Sequence, residues 1–307
     1  DRDITLRRGP KGSAPFGAFS AVYTGTEEAV PGLTAANCGE LLTGVGREVF
    51  ERSAFIGSGG DLAVTAAPEL ERRIAALVSS GEEVRLYACG GDGTLNEVVN
   101  GAAGFDNAAV TCIPIGTGND FLKNFGPDAA KFTDAENLWD GEVHPLDLID
   151  CNGRQCLTIA CSGIDARVAE SVHELGDSPL LSGRGSYLAA VAVNFLFRGI
   201  GQHWTVTLDD EVIEDDFALV SMCNGRYYGG GSMPVPEARM DDGVLETILV
   251  KNVPKRTFAR LFPAYSAGEY WKFPHIARMV TSRQVVITAS PGEADIVTCL
   301  DGESLRS

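Results

Sequence analysis

The chain has 307 residues, of which 44% are hydrophobic, and it carries a formal net charge of −17. This length accommodates two domains of ordinary size, and the hydrophobic content excludes an intrinsically disordered protein. The negative charge argues against nucleic acid as a partner, because phosphate backbones are bound by basic surfaces. No apolar run reaches the roughly 18 residues that span a membrane. The eight cysteines form no CxxC pair, so we expect a cytoplasmic protein with free thiols.

A glycine-rich turn separates a predicted strand, residues 84–88, from a predicted helix, residues 94–100. The turn consists of Gly90, Gly91, Asp92, Gly93 and Thr94. Its glycines allow backbone N–H groups to approach a ligand closely, and the helix N-terminus adds partial positive charge. These features are typical of a phosphate-binding turn in which Asp92 faces Mg²⁺. A structural turn capped by Asp92 or Thr94 is the alternative.

A second turn of the same kind follows the next predicted strand, residues 108–115. It contains Gly116, Thr117, Gly118, Asn119 and Asp120. Because the carboxyl ends of neighbouring parallel strands meet at one edge of a sheet, we expect the two turns to build one cleft. The pair therefore favours phosphate binding over a purely structural role, although Asp120 also suits a helix N-cap.

The pattern changes near Gly141, where alternating strands and helices give way to a succession of strands. We expect an α/β protein of two domains. Residues 15–141 would form an N-terminal three-layer nucleotide-binding domain with a mainly parallel sheet. Residues 142–307, completed by residues 1–14, would form a C-terminal antiparallel β-sandwich-like domain with inserted helices. Its predicted strands are 143–150, 155–162, 204–209, 211–222, 244–251, 284–289 and 296–300, and its predicted helices are 185–198 and 254–271.

The segment GGDGTLNEVVNG (90–101), followed by IPIGTGNDF (113–121), resembles the diacylglycerol kinase catalytic family of bacterial lipid kinases. This family is related to sphingosine and ceramide kinases. The resemblance continues, in collinear order, through segments 144–153, 162–168, 223–231, 234–246 and 300–303. It implies a two-domain kinase that binds ATP and Mg²⁺ and phosphorylates the hydroxyl of a diacylglycerol-like lipid.

The resemblance also implies roles for acidic residues. Asp92, Asp120 and Asp147 would surround the catalytic Mg²⁺, although Asp147 could equally be a hydrogen-bonding residue at a strand edge. Asp242, with Asp241, would form a structural Mg²⁺ site.

Near the C-terminus, Glu303 would be the base that accepts the proton of the lipid hydroxyl, with Asp301 as its neighbour. Alternation along the last strand would place both side chains on one face. On the residues alone, Asp301-Gly302 also suits a hairpin turn.

The family usually opens with a strand and a nucleotide-contacting turn. Residues 19–23 are the predicted strand, but residues 24–32 lack that turn, so Thr65 is the remaining early candidate. Glu97 is a further predicted nucleotide-site residue. We also expect residues near Ile4 to pair with the strand before Asp301, as a permuted end of the second domain.

Residues 251–283 carry seven cations against one acid. We expect the cations to contact a membrane surface transiently, since the lipid substrate resides there, and the aromatic residues of this region to be core. Several alternatives stay open. The acceptor could be a sphingoid base, a polyprenol or NAD, the protein could be a non-catalytic binding module, and it could form a homodimer.

Overall fold

The structure is a computed structural model. It describes residues 3–8, 14–16, 53–57, 67–114, 116, 118–133, 137–138, 141–164, 166–167, 201–292 and 294–306. The strands are β1 (Asp3–Arg8), β2 (Ala14–Phe16), β3 (Ser53–Gly57), β4 (Val84–Gly90), β5 (Ala108–Pro114), β6 (His144–Leu146), β7 (Ile149–Cys151), β8 (Arg154–Cys156), β9 (Ile159–Gly163), β10 (Gln202–Leu208), β11 (Glu211–Cys223), β12 (Leu245–Lys251), β13 (Ala277–Ser282), β14 (Gln284–Ala289), β15 (Val297–Leu300) and β16 (Glu303–Arg306). The α-helices are α1 (Ala67–Val78), α2 (Asp92–Ala102), α3 (Asp120–Lys123) and α4 (Lys255–Ser266), and the 3₁₀ helices are Gly126–Thr133 and Tyr270–Lys272.

The chain divides into two compact units, one of which is Pro10–Asp147. Its five-stranded sheet has the order β3-β4-β5-β2-β6, with the first four strands parallel and β6 antiparallel to β2. Helix α2 buries Leu95, Val98, Val99 and Ala102, at the spacing of one helical face. Gly90 at the end of β4 lies opposite the end of β5, so both strands deliver their following turns to one sheet edge.

The other unit comprises Asp1–Gly9 and Leu148–Ser307 and contains an 11-stranded sheet. Its main path is β16-β15-β9-β11-β10-β14-β1-β7-β8, and β12 joins β11 to β13. Every pairing in this sheet is antiparallel. Helix α4 contributes Phe258, Leu261 and Tyr265 to a hydrophobic cluster, which confirms the expected core position of Phe258 and Tyr265. The expectation is wrong for Trp271, which is 64% exposed. The predicted fold class, a parallel sheet followed by an antiparallel one, is confirmed.

Several predicted elements differ from the observed ones. The predicted strand 143–150 is divided between β6 and β7, which belong to different sheets. The sequence pattern also predicts a helix over residues 127–139, where the structure has the 3₁₀ helix Gly126–Thr133. Strands β3 and β13 were not predicted, because their residues lack regular alternation of polar and apolar side chains. The predicted strand 19–23 and helix 185–198 lie outside the described residues.

The N-terminal strand does not pair with the strand before Asp301, so that prediction is wrong. Strand β1 pairs with β14 and β7, and Ile4 lies opposite Ile287. Strand β15 instead lies between β9 and β16, where Leu300 is opposite Glu303. The return strand after residue 302 is therefore β16, while β1 joins the same sheet elsewhere.

Candidate functional site

The two glycine turns lie side by side, as expected from the parallel strands. The N–H of Gly116 donates to the carbonyl of Gly90 at 3.1 Å. The backbones are so close that a Cβ atom on Gly116 would lie 2.3 Å from the Cα of Gly91 and 2.7 Å from its nitrogen. Glycine is therefore required at position 116 for the contact between the turns, before any ligand is considered.

Asp92 links the first turn to the second. Its Oδ1 accepts a hydrogen bond from the N–H of Phe121, in the first turn of α3, at 3.2 Å. A Cβ on Gly118 would lie 2.7 Å from the Asp92 Oδ2. Burial, and then the nearby Asp92 carboxylate, raise the pKa of the Cys112 thiol, which keeps this thiol protonated beneath the turns.

The N-terminus of α2 has no side-chain cap. Its N-cap residue is Gly91, which has no side chain that could cap the first N–H groups. Thr94 is buried and packs over Gly90, where an added Cβ would lie 2.3 Å from the threonine Oγ1. Glu97 is half-buried further along the helix. The candidates Thr65 and Thr117 lie outside the described residues.

The acids of this unit differ in their surroundings. Asp120 is 6% exposed and its carboxylate forms an ion pair with Lys123. Asp147 is 2% exposed and follows β6. In the second turn, Asn119 has a left-handed backbone (φ 51°) and its Nδ2 donates to the Gly116 carbonyl at 2.8 Å. The second turn is therefore held by its own side chains.

Neither predicted Mg²⁺ site forms a ready-made cage. Among the residues with a described position, no three His, Cys, Asp or Glu side chains are grouped to hold a metal ion. Asp241 forms an ion pair with Arg239, whose Nε lies 3.1 Å from Oδ1. The Oδ1 of Asp242 accepts the N–H of Val244 at 3.2 Å. A carboxylate that balances a guanidinium is a weaker cation ligand, so the pair Asp241 and Asp242 fits its expected role only in part.

The acids near the C-terminus occupy different structural positions. Asp301 (φ 50°) and Gly302 (φ 103°) form the two-residue turn between β15 and β16. The expectation that Asp301 and Glu303 alternate on one face of a single strand is therefore wrong, and the hairpin-turn alternative holds. Glu303 begins β16 and is exposed.

The carboxylate of Asp301 is held by the segment 157–159. It accepts the N–H of Leu157 at 2.6 Å, the N–H of Thr158 at 2.9 Å and the Thr158 hydroxyl at 2.5 Å. Asn224, after β11, binds the same segment through its Nδ2 and the carbonyl of Leu157 at 2.6 Å. Sequence reasoning missed Thr158 and Asn224, although Asn224 lies within the segment 223–231 that resembles the family.

Part of the positive charge of residues 251–283 is neutralised locally. Lys251, Lys272 and Arg278 form ion pairs with acids of the same unit. On α4, Arg256 and Arg260 are exposed one turn apart. Trp271, in the 3₁₀ helix Tyr270–Lys272, is 64% exposed. The described helices include none that is long and apolar enough to cross a membrane.

Two protein families match separate parts of the chain. The diacylglycerol kinase catalytic domain matches residues 53–151, and the YegS C-terminal NAD kinase beta sandwich-like domain matches residues 158–307. Two curated relatives carry the name "Probable lipid kinase YegS-like". The Pseudomonas aeruginosa protein is 33% identical over 58% of each chain, and the Shewanella frigidimarina protein is 31% identical over 55% of each. The chain thus spans little more than half the length of these relatives.

Two solved structures from Bacillus anthracis str. Sterne each cover 92% of this chain and 89% of their own chains. One has a TM-score of 0.63 at 21% identity. The other, a diacylglycerol kinase, has a TM-score of 0.56 at 19% identity. At this level of identity the similarity shows a shared fold.

Proposed function

Because the chain belongs to the diacylglycerol kinase catalytic-domain family, we propose that it is an ATP-dependent lipid kinase. It transfers the γ-phosphoryl group of ATP to the hydroxyl of diacylglycerol and gives phosphatidic acid. The observation that carries this proposal is the contact between the two glycine turns, in which Gly116 donates to Gly90 at 3.1 Å. Phosphoryl transfer depends mainly on positioned donors and charge around the phosphates, and two joined turns at a helix N-terminus supply a surface for them.

The nucleotide phosphates bind to the backbone of the two turns. We assign this role to Gly90, Gly91, Gly93, Gly116, Gly118 and Asn119, with Thr117, Thr94, Glu97 and Thr65 as further contributors. The close approach of Gly116 to Gly91 brings the two backbones into direct contact. The N–H groups at the start of α2 bind the phosphate oxygens. They need such an acceptor, because their N-cap residue is a glycine, which has no side chain that could accept from them.

Mg²⁺ offsets the negative charge that develops during the transfer. This ion usually keeps several waters and takes only one or two carboxylates together with substrate phosphates, so a preformed cage is not required. Asp92 fits best, since its carboxylate crosses from the first turn to the N-terminus of α3. Asp120 and Asp147 are buried acids of the same unit and would hold the ion or its water. Asp242, with Asp241, remains our candidate for a structural Mg²⁺ site.

Transfer of label from γ-labelled ATP onto a panel of lipid alcohols in mixed micelles tests the function. The panel contains diacylglycerol, a sphingoid base and a polyprenol, with NAD as a soluble acceptor. We expect label in phosphatidic acid and a fall of about 100-fold or more in Asp92→Asn. Asp106→Asn is the matched control, because it removes an exposed carboxylate from the same unit. Label in another acceptor would reassign the substrate, and no label in any acceptor would favour a binding module.

Contact with a membrane surface is the remaining part of the proposal. We place this surface at Arg256 and Arg260, two exposed cations one turn apart on α4. A cation near an anionic bilayer contributes about 1 kcal/mol, so we expect Arg256→Glu/Arg260→Glu to weaken binding to phosphatidylserine vesicles by at least about tenfold. The matched control is Arg72→Glu/Lys131→Glu, which reverses the charge of two exposed cations of the other unit. An equal loss in both double variants would make the effect one of net charge.

A further inference from the structure

We propose that strand β13 is an interface for a second copy of this chain, which adds its own β13 in antiparallel orientation around a two-fold axis at Val280. Within the described part of the chain, β13 pairs with β12 alone and so forms an edge of the larger sheet. Three features support this interface. They are the open backbone groups of β13, its lack of edge protection, and the fit of the open groups to a copy of themselves.

Every second residue of β13 directs its backbone N–H and C=O groups away from the sheet. The N–H of Lys251 donates to the carbonyl of Ile276 at 2.9 Å, and this bond shows which residues face β12. Because bonded and non-bonded residues alternate along an antiparallel strand, the even-numbered residues of β13 bond to β12. The odd-numbered residues, which include Met279 and Thr281, therefore direct their N–H and C=O groups outward.

The open part of this edge consists of two residues. The N–H of Ala277, the first outward residue, is already bonded to the carbonyl of Phe273 at 2.9 Å. Met279 and Thr281 have no further backbone partner among the residues with a described position. Both are exposed, so another strand can approach them. The edge therefore offers two donors and two acceptors to an added strand.

Strand β13 lacks the features that usually protect a sheet edge, such as lysine, proline, a bulge or a very short strand. It is six residues long and stays in register with β12 throughout. Its one charged residue, Arg278, binds both carboxylate oxygens of Glu211, at 2.5 and 2.6 Å. By contrast, β8 at another edge is three residues long, and β16 carries Glu303 and Arg306. The edge of β13 is thus the one best suited to pairing.

An apolar side chain accompanies the open backbone groups. Met279 is 40% exposed, and it is one of four large hydrophobic side chains that are exposed in the described part of the chain. The Tyr270 hydroxyl donates to its sulfur at 3.1 Å, which holds the side chain beside the strand. Burial of Met279 by an added strand would therefore stabilise the pairing beyond its backbone hydrogen bonds.

The open residues are complementary to their own copy. Opposite residues in an antiparallel ladder exchange both of their N–H···O=C bonds. If Met279 lies opposite Thr281 of the second copy, the reverse pair forms as well, and all four open donors find acceptors. Val280 then lies opposite its own copy on the two-fold axis. An axis at Met279 would instead place Ala277 opposite Thr281, although the Ala277 N–H is already bonded.

Charge also permits this arrangement. With the axis at Val280, Arg278 lies opposite Ser282 of the second copy. The two Arg278 residues are then four residues apart along the strands, about 13 Å. This separation exceeds the screening length of roughly 8 Å at physiological salt. Since each Arg278 is also paired with a Glu211 carboxylate, the two copies have little charge repulsion at this edge.

Sedimentation equilibrium of the full chain over a range of concentrations tests the interface. We expect one and two copies in equilibrium with a Kd of about 1–100 μM. Met279→Lys places a lysine on the open edge, which protects natural sheets from pairing, and should raise the Kd by at least about tenfold. The matched control is Val143→Lys, which changes an exposed hydrophobic residue of the other unit and should leave the Kd unchanged. A single copy at all concentrations up to about 1 mM, or an equal shift in both variants, would overturn the proposal.

Cysteine cross-linking tests the position of the axis. Residues in a non-bonded antiparallel pair have Cα atoms about 4.5 Å apart, a separation that a disulfide can bridge. Val280→Cys should therefore join two copies when oxidised glutathione is added, and each disulfide formed releases two molecules of reduced glutathione.

The matched control for cross-linking is Thr281→Cys. Its copy would lie two residues away along the opposite strand, more than about 7 Å between Cα atoms, which is too far for a disulfide. The parent supplies the baseline, and its cysteines in the described part of the chain are all buried. Absence of the cross-link in Val280→Cys, or equal cross-linking in Thr281→Cys, would contradict the axis at Val280. Neither experiment measures phosphate transfer, so the interface stands or falls independently of the proposed function.

Discussion

Substitution of Gly116 by alanine tests the contact between the two glycine turns directly. The added Cβ would lie 2.3 Å from the Cα of Gly91, whereas ordinary contact begins at 3.4 Å. Because the clashing atoms are backbone, no side chain can rotate aside, and the turns must separate by about 1.1 Å, the difference between these distances. Overpacking of this kind, together with loss of the hydrogen bond between Gly116 and Gly90, should lower the free energy of unfolding by about 2–4 kcal/mol.

A displacement of this size should weaken nucleotide binding as well as lower stability. Misplacement of a binding group by about 1 Å can cost up to 100-fold, so we expect Gly116→Ala to weaken ATP binding by about 10- to 100-fold. Isothermal titration with ATP and Mg²⁺ measures the Kd, and urea denaturation measures the free energy of unfolding. Both are done at a temperature at which the variant is folded.

Gly104→Ala provides the matched control for this experiment. Gly104 lies in the same unit with a φ of +86°, and no atom lies within 4 Å of an added Cβ. Alanine there should cost about 1–2 kcal/mol through backbone strain without moving the turns, so its Kd for ATP should equal that of the parent. A folded Gly116→Ala protein with the parental Kd would refute the role of the joined turns in nucleotide binding.

Two further predictions concern the larger antiparallel sheet. The protonated His203 donates its Nδ1–H to the Asp216 carboxylate at 2.7 Å, and this hydrogen bond raises the pKa of His203 above its ordinary value of 6.5. The stabilisation is therefore fully present below that ordinary value and is lost as pH rises through the folded-state pKa. The difference in unfolding free energy between the parent and His203→Gln should therefore shrink at alkaline pH, and a constant difference would contradict the assignment. Tyr265→Phe should lower the free energy of unfolding, measured by urea denaturation, by about 1–3 kcal/mol. The buried Tyr265 hydroxyl contacts the hydroxyl groups of Ser221 at 2.8 Å and Tyr228 at 3.1 Å, and the substitution removes this partner from both. Tyr228→Phe removes one of these contacts and should cost less, about 0.5–1.5 kcal/mol; an equal cost would place the stabilising contact between Tyr228 and Tyr265.

The unit Pro10–Asp147 was the more predictable from sequence. Strand β4 and helix α2 begin and end within two residues of their predicted bounds. The two glycine turns lie at one sheet edge, as predicted. This succeeded because a strand, a glycine turn and a helix are specified within about 20 residues by local pattern. Parallel pairing then requires the turns that follow neighbouring strands to lie at the same edge.

The long-range contacts were not predictable in the same way. The bonds from segment 157–159 to Asp301 join residues more than 140 positions apart, and no periodicity in either segment reports them. The pairing of β1 with β14 and β7 is equally non-local. The ion pairs of Lys251, Lys272 and Arg278 also depend on which acids the fold brings close to them, so the sequence overstated the uncompensated positive charge.

By itself, the sequence determined the class of fold and the place of the two glycine turns after neighbouring strands, because both follow from residues that act on near neighbours. Only the tertiary structure decided that Gly116 is needed for the contact between backbones and that Asp301 is a hairpin-turn residue bound on several sides. Those properties depend on distances between segments far apart in the chain. The physical reason is that the sequence gives the chemical groups of each residue, whereas packing decides which other atoms contact those groups.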